Sequence, residues 1–253
     1  MGSQDKARAG SVRMDQVVLF GDSITQGSWV PGGTGAALAH VYQRKLDVMN
    51  RGFSGYNTEW GLQVLRQFLP RYDEELPKIA LFCVWFGAND AALPPSPQAL
   101  TLGEFKTNLN KILDLLRSPE SPHYSPETQL VLIAPPPVDA SKRTADLAQR
   151  DPPRSPDRDA ERTRHFAEAV KEVAHESNLP VLDAWSLIDS AAKNDGGLDK
   201  YLNDGLHLNA AGYEVVTAGL FSLIESELPQ LHWSRLDQVF PHWTDFIAPE
   251  LRS

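Results

Sequence analysis

Apolar runs recur along this chain, and each gives way to a polar turn and then to helical spacing of apolar residues. That alternation restricts the fold more than any other feature. The runs at 17–20 and 79–86 carry almost no polar positions, so they suit strands buried on both faces rather than strands with one wet side. Shorter runs at 47–50, 129–134 and 180–183 read as further strands. Between and after them, helices are expected from residue 34 (Ala37, Leu38, Val41, Tyr42 and Leu46 on one stripe), from 58 to 69, and over 102–116. Others are expected over 158–178, 185–192 and 210–228, the last burying Tyr213, Val216, Leu220, Leu223 and Ile224. Repeated βα units imply an α/β fold: a five-stranded parallel sheet covered by helices on both faces, with right-handed crossovers.

The flanks and one internal stretch break the pattern. Residues 1–14 are polar and without period and are expected to form a disordered tail, which leaves 15–228 as the domain. Residues 229–253 carry Trp233, Phe240, Trp243 and Phe246 among prolines. This tail is expected to pack on its own domain, with a homodimer contact or a flap near the site as alternatives. Residues 139–162, rich in charge and containing Pro152, Pro153 and Pro156, read as a solvent-facing insertion without chemistry.

Charge narrows the partners. Lys and Arg number 24 against 33 Asp and Glu, a formal charge of −9. That disfavours nucleic acid and anionic membranes. No apolar run approaches the roughly 20 residues of a membrane span, and residues 1–16 lack the apolar stretch of a secretory signal, so a soluble, cytoplasmic protein is expected. Cys83, the single cysteine, lies inside an apolar run and reads as a small buried hydrophobe.

Three of the turns, and the approach to the last helix, carry polar residues suited to one reaction. Nucleophilic acyl transfer needs a hydroxyl, a base, a group that orients the base, and donors for the developing oxyanion. Ser23 follows the first strand within Gly21-Asp22-Ser23, at the sheet edge where open α/β proteins keep their ligands. Either Asp22 or Ser23 would also serve as a plain helix cap. Of seven histidines, only His207 follows an aspartate, Asp204, by three residues in a turn before a helix. That spacing lets the carboxylate reach Nδ1 and set the tautomer. Gly55, Asn89 and the backbone of Ser23 would offer N–H donors. The Asn89-Asp90 pair suits a side-chain-stabilised turn as well, and Asp90 receives no proton-transfer role.

Taken together, Gly21-Asp22-Ser23-Ile24-Thr25, Gly52-Phe53-Ser54-Gly55, Gly87-Ala88-Asn89-Asp90 and Asp204-Gly205-Leu206-His207 resemble, in order, the four blocks of the GDSL or SGNH hydrolases. The longer stretches 50–58, 86–91 and 204–208 are similar to the branch of isoamyl acetate-hydrolysing esterases. The resemblance covers about residues 16–228. It implies a three-layer, flavodoxin-like αβα sheet fold, Ser23 as nucleophile, Asp204 and His207 as its partners, and Ser23, Gly55 and Asn89 as the oxyanion hole. It implies no metal or other cofactor. The insertion at 139–162 is longer than that branch usually carries. Trp29, Phe53 and Trp85 are candidates for an acyl or alcohol pocket and equally for the core, and Arg51 reads as a structural ion-pair partner.

The expected activity is that of a serine esterase acting on short-chain esters of small alcohols, a small-molecule substrate. Sugar acetates or lysophospholipids on the same site are the nearest alternatives. A metal-dependent phosphoesterase using Asp22, Asn89, Asp204 and His207 as ligands, or a non-catalytic scaffold, would be further readings. Nucleotide-binding glycine motifs and the G-x-S-x-G elbow are absent from the sequence.

Overall fold

A computed structural model describes residues 13–74 and 76–246; the expected N-terminal tail lies, up to residue 12, outside them. Strand β1 (Gln16–Gly21) leads into the short helix α1 (Ser23–Gln26) and then α2 (Thr34–Val41). After β2 (Asp47–Gly52) come α3 (Thr58–Phe68), β3 (Ile79–Trp85), α4 (Leu102–Arg117) and β4 (Gln129–Ile133). The chain continues through α5 (Ala140–Ala148), α6 (Ala160–Glu176), β5 (Val181–Leu182), α7 (Ala184–Asn194) and α8 (Ala210–Glu227). All strand pairs are parallel, in the order β2-β1-β3-β4-β5. The chain moves outward from β1 to β2 and then returns to the other side of β1 to lay down β3. That reversal opens a crevice at the carboxyl ends of β1 and β3, where doubly wound sheets bind ligands.

Alternation along each strand divides the core between the two faces. Val17, Leu19, Leu81, Cys83, Trp85, Val131 and Ile133 face one way, against Leu38 of α2, Ile188 of α7 and Val216, Leu220 and Ile224 of α8. Val18, Phe20, Phe82, Val84, Leu130 and Leu132 face the other way, against Leu65 of α3, Leu109 and Ile112 of α4, and Phe166 and Val170 of α6. A strand with large apolar side chains on both faces has no wet side, and helices must cover it twice. Helix starts are fixed locally. Asp22, Asn57, Asp139, Asp159, Asp183 and Asn209 each accept a backbone N–H in the first turn, and Thr101 with Glu104 forms a capping box.

The first part of the C-terminal tail lies on its own domain, while Trp243 and Phe246 beyond it are exposed. Leu231 is buried, the Tyr42 hydroxyl donates to its carbonyl at 2.8 Å, and Trp233 packs edge-on against Tyr42. Further on, Val239 N donates to Arg44 O at 2.9 Å and Arg44 Nη2 to Pro241 O at 2.8 Å. Arg44 lies three residues before β2, so residues 229–241 sit where the strands begin, at the opposite end of the sheet from Ser23. Residues 247–253 lie outside the described part.

Residues 139–162 depart from expectation. Residues 151–156 are exposed as expected, but α5 packs against the turn that carries Asp204, and Arg143 and Arg158 are almost fully buried. The two arginines are drawn inside because Asp157 of the same stretch lies between them and because Asp204 and Asn89 reach them from elsewhere in the fold.

Candidate active site

Gly21 ends β1, Asp22 accepts the Ile24 N–H at 2.9 Å, and this cap turns the chain so that Ser23 opens α1 half-exposed over the crevice. Ser23 Oγ lies 2.9 Å from His207 Nε2, across 184 residues of sequence. On the other side of the ring, His207 Nδ1 lies 2.9 Å from Asp204 Oδ2. Asp204 Oδ1 accepts the backbone N–H groups of His207 (2.9 Å) and Leu206 (3.1 Å), so the carboxylate both forms the turn and orients the ring. With Nδ1–H donating to a carboxylate, Nε2 is left as the acceptor for the serine hydroxyl. Burial opposes ionisation of Asp204, but the His207 ring and backbone hydrogen bonds outweigh it and hold the carboxyl well below the usual range.

The turn depends on Gly205. Its φ is +81°, and a Cβ there would stand 2.5 Å from Arg143 N and 2.5 Å from Asp139 O. The loop carrying Asp204 and His207 is thus seated directly on the start of α5.

Asn89, at the end of β3, is buried on the other side of the crevice. Its Nδ2 donates to Tyr56 O at 2.9 Å and its Oδ1 accepts from Arg158 Nη2 at 2.8 Å. One N–H of the amide is left uncommitted among the described residues. Gly55 takes φ +83°, which explains the glycine better than crowding does, since a Cβ would meet only the end of Gln98, at 3.6 Å. Gln98 Nε2 donates to Gly55 O at 2.7 Å and fixes that loop. Asp90 Oδ1 accepts from Thr58 N and Thr58 Oγ1 (2.9 and 2.5 Å), a structural tie between the β3 turn and the start of α3.

Sequence reasoning missed Arg143 and Arg158. Arg143 Nη1 donates to Asp204 Oδ2 at 2.7 Å, while its Nε and Nη2 hold Asp157, each at 3.0 Å. Arg158 reaches Asp157, Ala88 O and Asn89. No local signal marks either arginine, since their burial comes from partners brought in by the fold.

The GDSL-like lipase/acylhydrolase family matches residues 19–215, a stretch that contains all five of Ser23, Gly55, Asn89, Asp204 and His207. The chain belongs to this family. It is similar to an isoamyl acetate-hydrolyzing esterase 1 homolog of Bos taurus, 38% identical over 240 residues that cover 93% of this chain and 90% of that protein. Among solved structures it resembles a lipase/acylhydrolase from Enterococcus faecalis, with a TM-score of 0.61 and 28% identity over 89% of this chain and 98% of the other. An acetylxylan esterase from Geobacillus stearothermophilus shares the fold, with a TM-score of 0.58 and 20% identity over 84% of this chain and 95% of the other. The chain is a carboxylic ester hydrolase of the GDSL type.

In this GDSL hydrolase the three pocket candidates separate. Trp85 is 4% exposed in the core and its indole N–H donates to Ala134 O at 3.2 Å, so it lines no open pocket. Its parity on β3 puts it with Leu81 and Cys83, beneath the sheet. Phe53 is half-buried among Phe20, Tyr56 and Phe68. Trp29 is 36% exposed and lies flat enough on Gly35 that a Cβ there would come within 2.1 Å of its ring. Arg51 lies over the Phe68 ring, 5.5 Å from its centroid, and not in an ion pair among the described residues. The ligand set considered for a metal does not assemble: Asp22 Oδ1 caps α1 and Asp204 is engaged by His207 and Arg143. Among the described residues no three His, Cys, Asp or Glu side chains stand together as a metal site. Nor is any helix among them long and apolar enough to cross a membrane.

Proposed function

We propose that this carboxylic ester hydrolase is a serine esterase cleaving short-chain, acetyl-type esters of small alcohols through an acyl-enzyme. The observation that carries the reading is the unbroken line from Ser23 Oγ to His207 Nε2 and from His207 Nδ1 to Asp204 Oδ2, each 2.9 Å. His207 Nε2 takes the Ser23 proton as Oγ bonds to the ester carbonyl carbon. The carbonyl π electrons move onto oxygen, which the N–H groups of Ser23, Gly55 and Asn89 receive. The Ser23 N–H is among the donors that a helix start leaves free. Collapse of the tetrahedral species breaks the bond to the alcohol oxygen, which leaves with the proton from His207. Water then gives a proton to His207, attacks the acyl carbon and releases the carboxylic acid as Ser23 regains its proton. Asp204 stays ionised throughout and stabilises the imidazolium.

The short-chain preference draws support from the bovine relative, which is named a homolog of an isoamyl acetate-hydrolyzing esterase. The test is hydrolysis of p-nitrophenyl esters from acetate to long chains by the wild type and Ser23→Ala, with and without EDTA. Activity should peak at short chains, ignore EDTA, and fall on the order of 10⁴-fold or more in the variant. Equal rates in the two proteins would refute a serine mechanism. Loss in EDTA restored by a divalent ion would favour a metal-dependent hydrolase.

A further inference from the structure

We infer that Arg158 is a positioning residue for the reaction, holding the Asn89 amide with its nitrogen toward the crevice so that the free N–H meets the oxyanion. The inference rests on the esterase mechanism proposed above and concerns a segment outside the four motif blocks. An asparagine amide can turn over, exchanging its oxygen and nitrogen. In the wrong orientation it would present a carbonyl oxygen to a developing negative charge. Two contacts decide the matter. A guanidinium has only donors, so the Asn89 atom 2.8 Å from Arg158 Nη2 must be the oxygen. The Tyr56 carbonyl can only accept, so the atom 2.9 Å from it must be the nitrogen. Both demands agree.

Arg158 is itself immobilised. Its Nε donates to Ala88 O at 2.9 Å, its Nη1 donates to Asp157 O at 2.9 Å and lies 3.1 Å from Asp157 Oδ2, and its side chain is 2% exposed. Asp157 is gripped in turn by Arg143, whose third donor holds Asp204. One run, Asn89–Arg158–Asp157–Arg143–Asp204, its four charges alternating in sign, therefore joins the oxyanion donor to the acid that orients the base. Burying two arginines is costly where an apolar side chain would fill the same space. A fixed amide orientation is what the charge supplies and an apolar group cannot.

The experiment is a double-mutant cycle on p-nitrophenyl acetate hydrolysis with the wild type, Arg158→Met, Asn89→Ala and the double variant. Losing an oxyanion donor costs ~10² to 10³ in rate. Because the Tyr56 carbonyl still favours the right orientation, Arg158→Met should lower kcat by roughly 10 to 100-fold, with KM nearly unchanged. The double variant should be no slower than Asn89→Ala, because a group acting through Asn89 has nothing left to act on. A folded Arg158→Met enzyme with wild-type kcat would overturn the inference, as would losses that multiply in the double variant, the sign of a general structural or through-space effect. Asn89→Ala at the wild-type rate would reject the oxyanion assignment in the esterase mechanism and this inference with it. A slow Asn89→Ala beside a fast Arg158→Met would reject only the latter. If Arg158→Met fails to fold, Arg158→Lys completes the same cycle, since a lysine keeps the charge but not the three-way fork of donors.

Discussion

Asp22 is fully buried beside Ser23, and its replacement by asparagine should change how stability depends on pH. Burial is the largest influence on this carboxyl, and Asp90 pushes in the same direction. The Ile24 N–H, His207 and Arg158 pull the other way, and the balance lifts the pKa from 3.8 to about 7. In the unfolded chain Asp22 gives up its proton near pH 3.8; in the folded protein it keeps it to about pH 7. Between those values the folded state binds more protons, so the contribution of Asp22 is fully present below the lower value and is lost as pH rises through the upper one. A rise of that size corresponds to about 4 kcal/mol. An asparagine at this position would still offer an oxygen to the Ile24 N–H but would have no proton to lose. Urea unfolding of wild type and Asp22→Asn at pH 4.5, 6, 7 and 8 should therefore show the variant gaining on the wild type by about 3 kcal/mol across the series, the part of the shift that lies above pH 4.5. In thermal melts that is on the order of 10 °C for a chain of this size. Asp90, lifted to about 6 mainly by burial, titrates in the same window in both proteins and leaves a smaller slope in the variant. Asp157, Asp183 and Asp204 are held below their ordinary values, so their stabilisation is lost only in more acid solution. A stability difference that stays constant from pH 4.5 to 8 would refute the reasoning.

Gly205→Ala should destabilise the fold by about 3 kcal/mol or more and depress kcat, because the methyl group is driven into Arg143 N and Asp139 O at a left-handed φ; a neutral effect in urea unfolding would mean the turn carrying Asp204 is not seated on α5. Arg143→Met leaves Asp157 and Asp204 without their shared buried partner and should cost ~3 to 5 kcal/mol by the same measurement. Truncation after Leu228 removes Leu231 and Trp233 and leaves the Tyr42 hydroxyl without its acceptor. It should cost about 3 kcal/mol while leaving kcat unchanged below the melting point, since the tail docks at the far end of the sheet; a fall in kcat in the folded truncated protein would contradict that placement.

The strands, the helices and the polar turns between them are readable from neighbouring residues alone. A run such as 79–86, short, apolar and rich in β-formers, reads as a strand covered on both faces, and period-two alternation then assigns Phe82 and Val84 to one side and Cys83 and Trp85 to the other. Ser23, Gly55, Asn89, Asp204 and His207 could be singled out as candidates for a related reason: each lies in a short turn at a strand end or before a helix, and acyl transfer calls for a hydroxyl, a base, a group to orient it and N–H donors. The structure shortened β5 to Val181–Leu182 and ended α2 at Val41, where local apolar spacing carries no information about where pairing stops.

What sequence reading lost was the meaning of charge in residues 139–162 and of aromatic bulk at Trp85. A lysine- or arginine-rich stretch is normally solvated, and nothing local distinguishes Arg143 or Arg158 from a surface charge. Their burial is tolerable only because Asp157 lies between them and because Asp204 and Asn89, many residues away, arrive at the same place. A doubly covered parallel sheet with a serine, a histidine and an aspartate at its loops was already written into the linear chain, since hydrophobic periodicity and turn chemistry are properties of adjacent residues. Which charges would be desolvated, and which way the Asn89 amide would face, was settled in three dimensions, because the cost of burying a charge depends on partners that the fold alone brings within hydrogen-bonding distance.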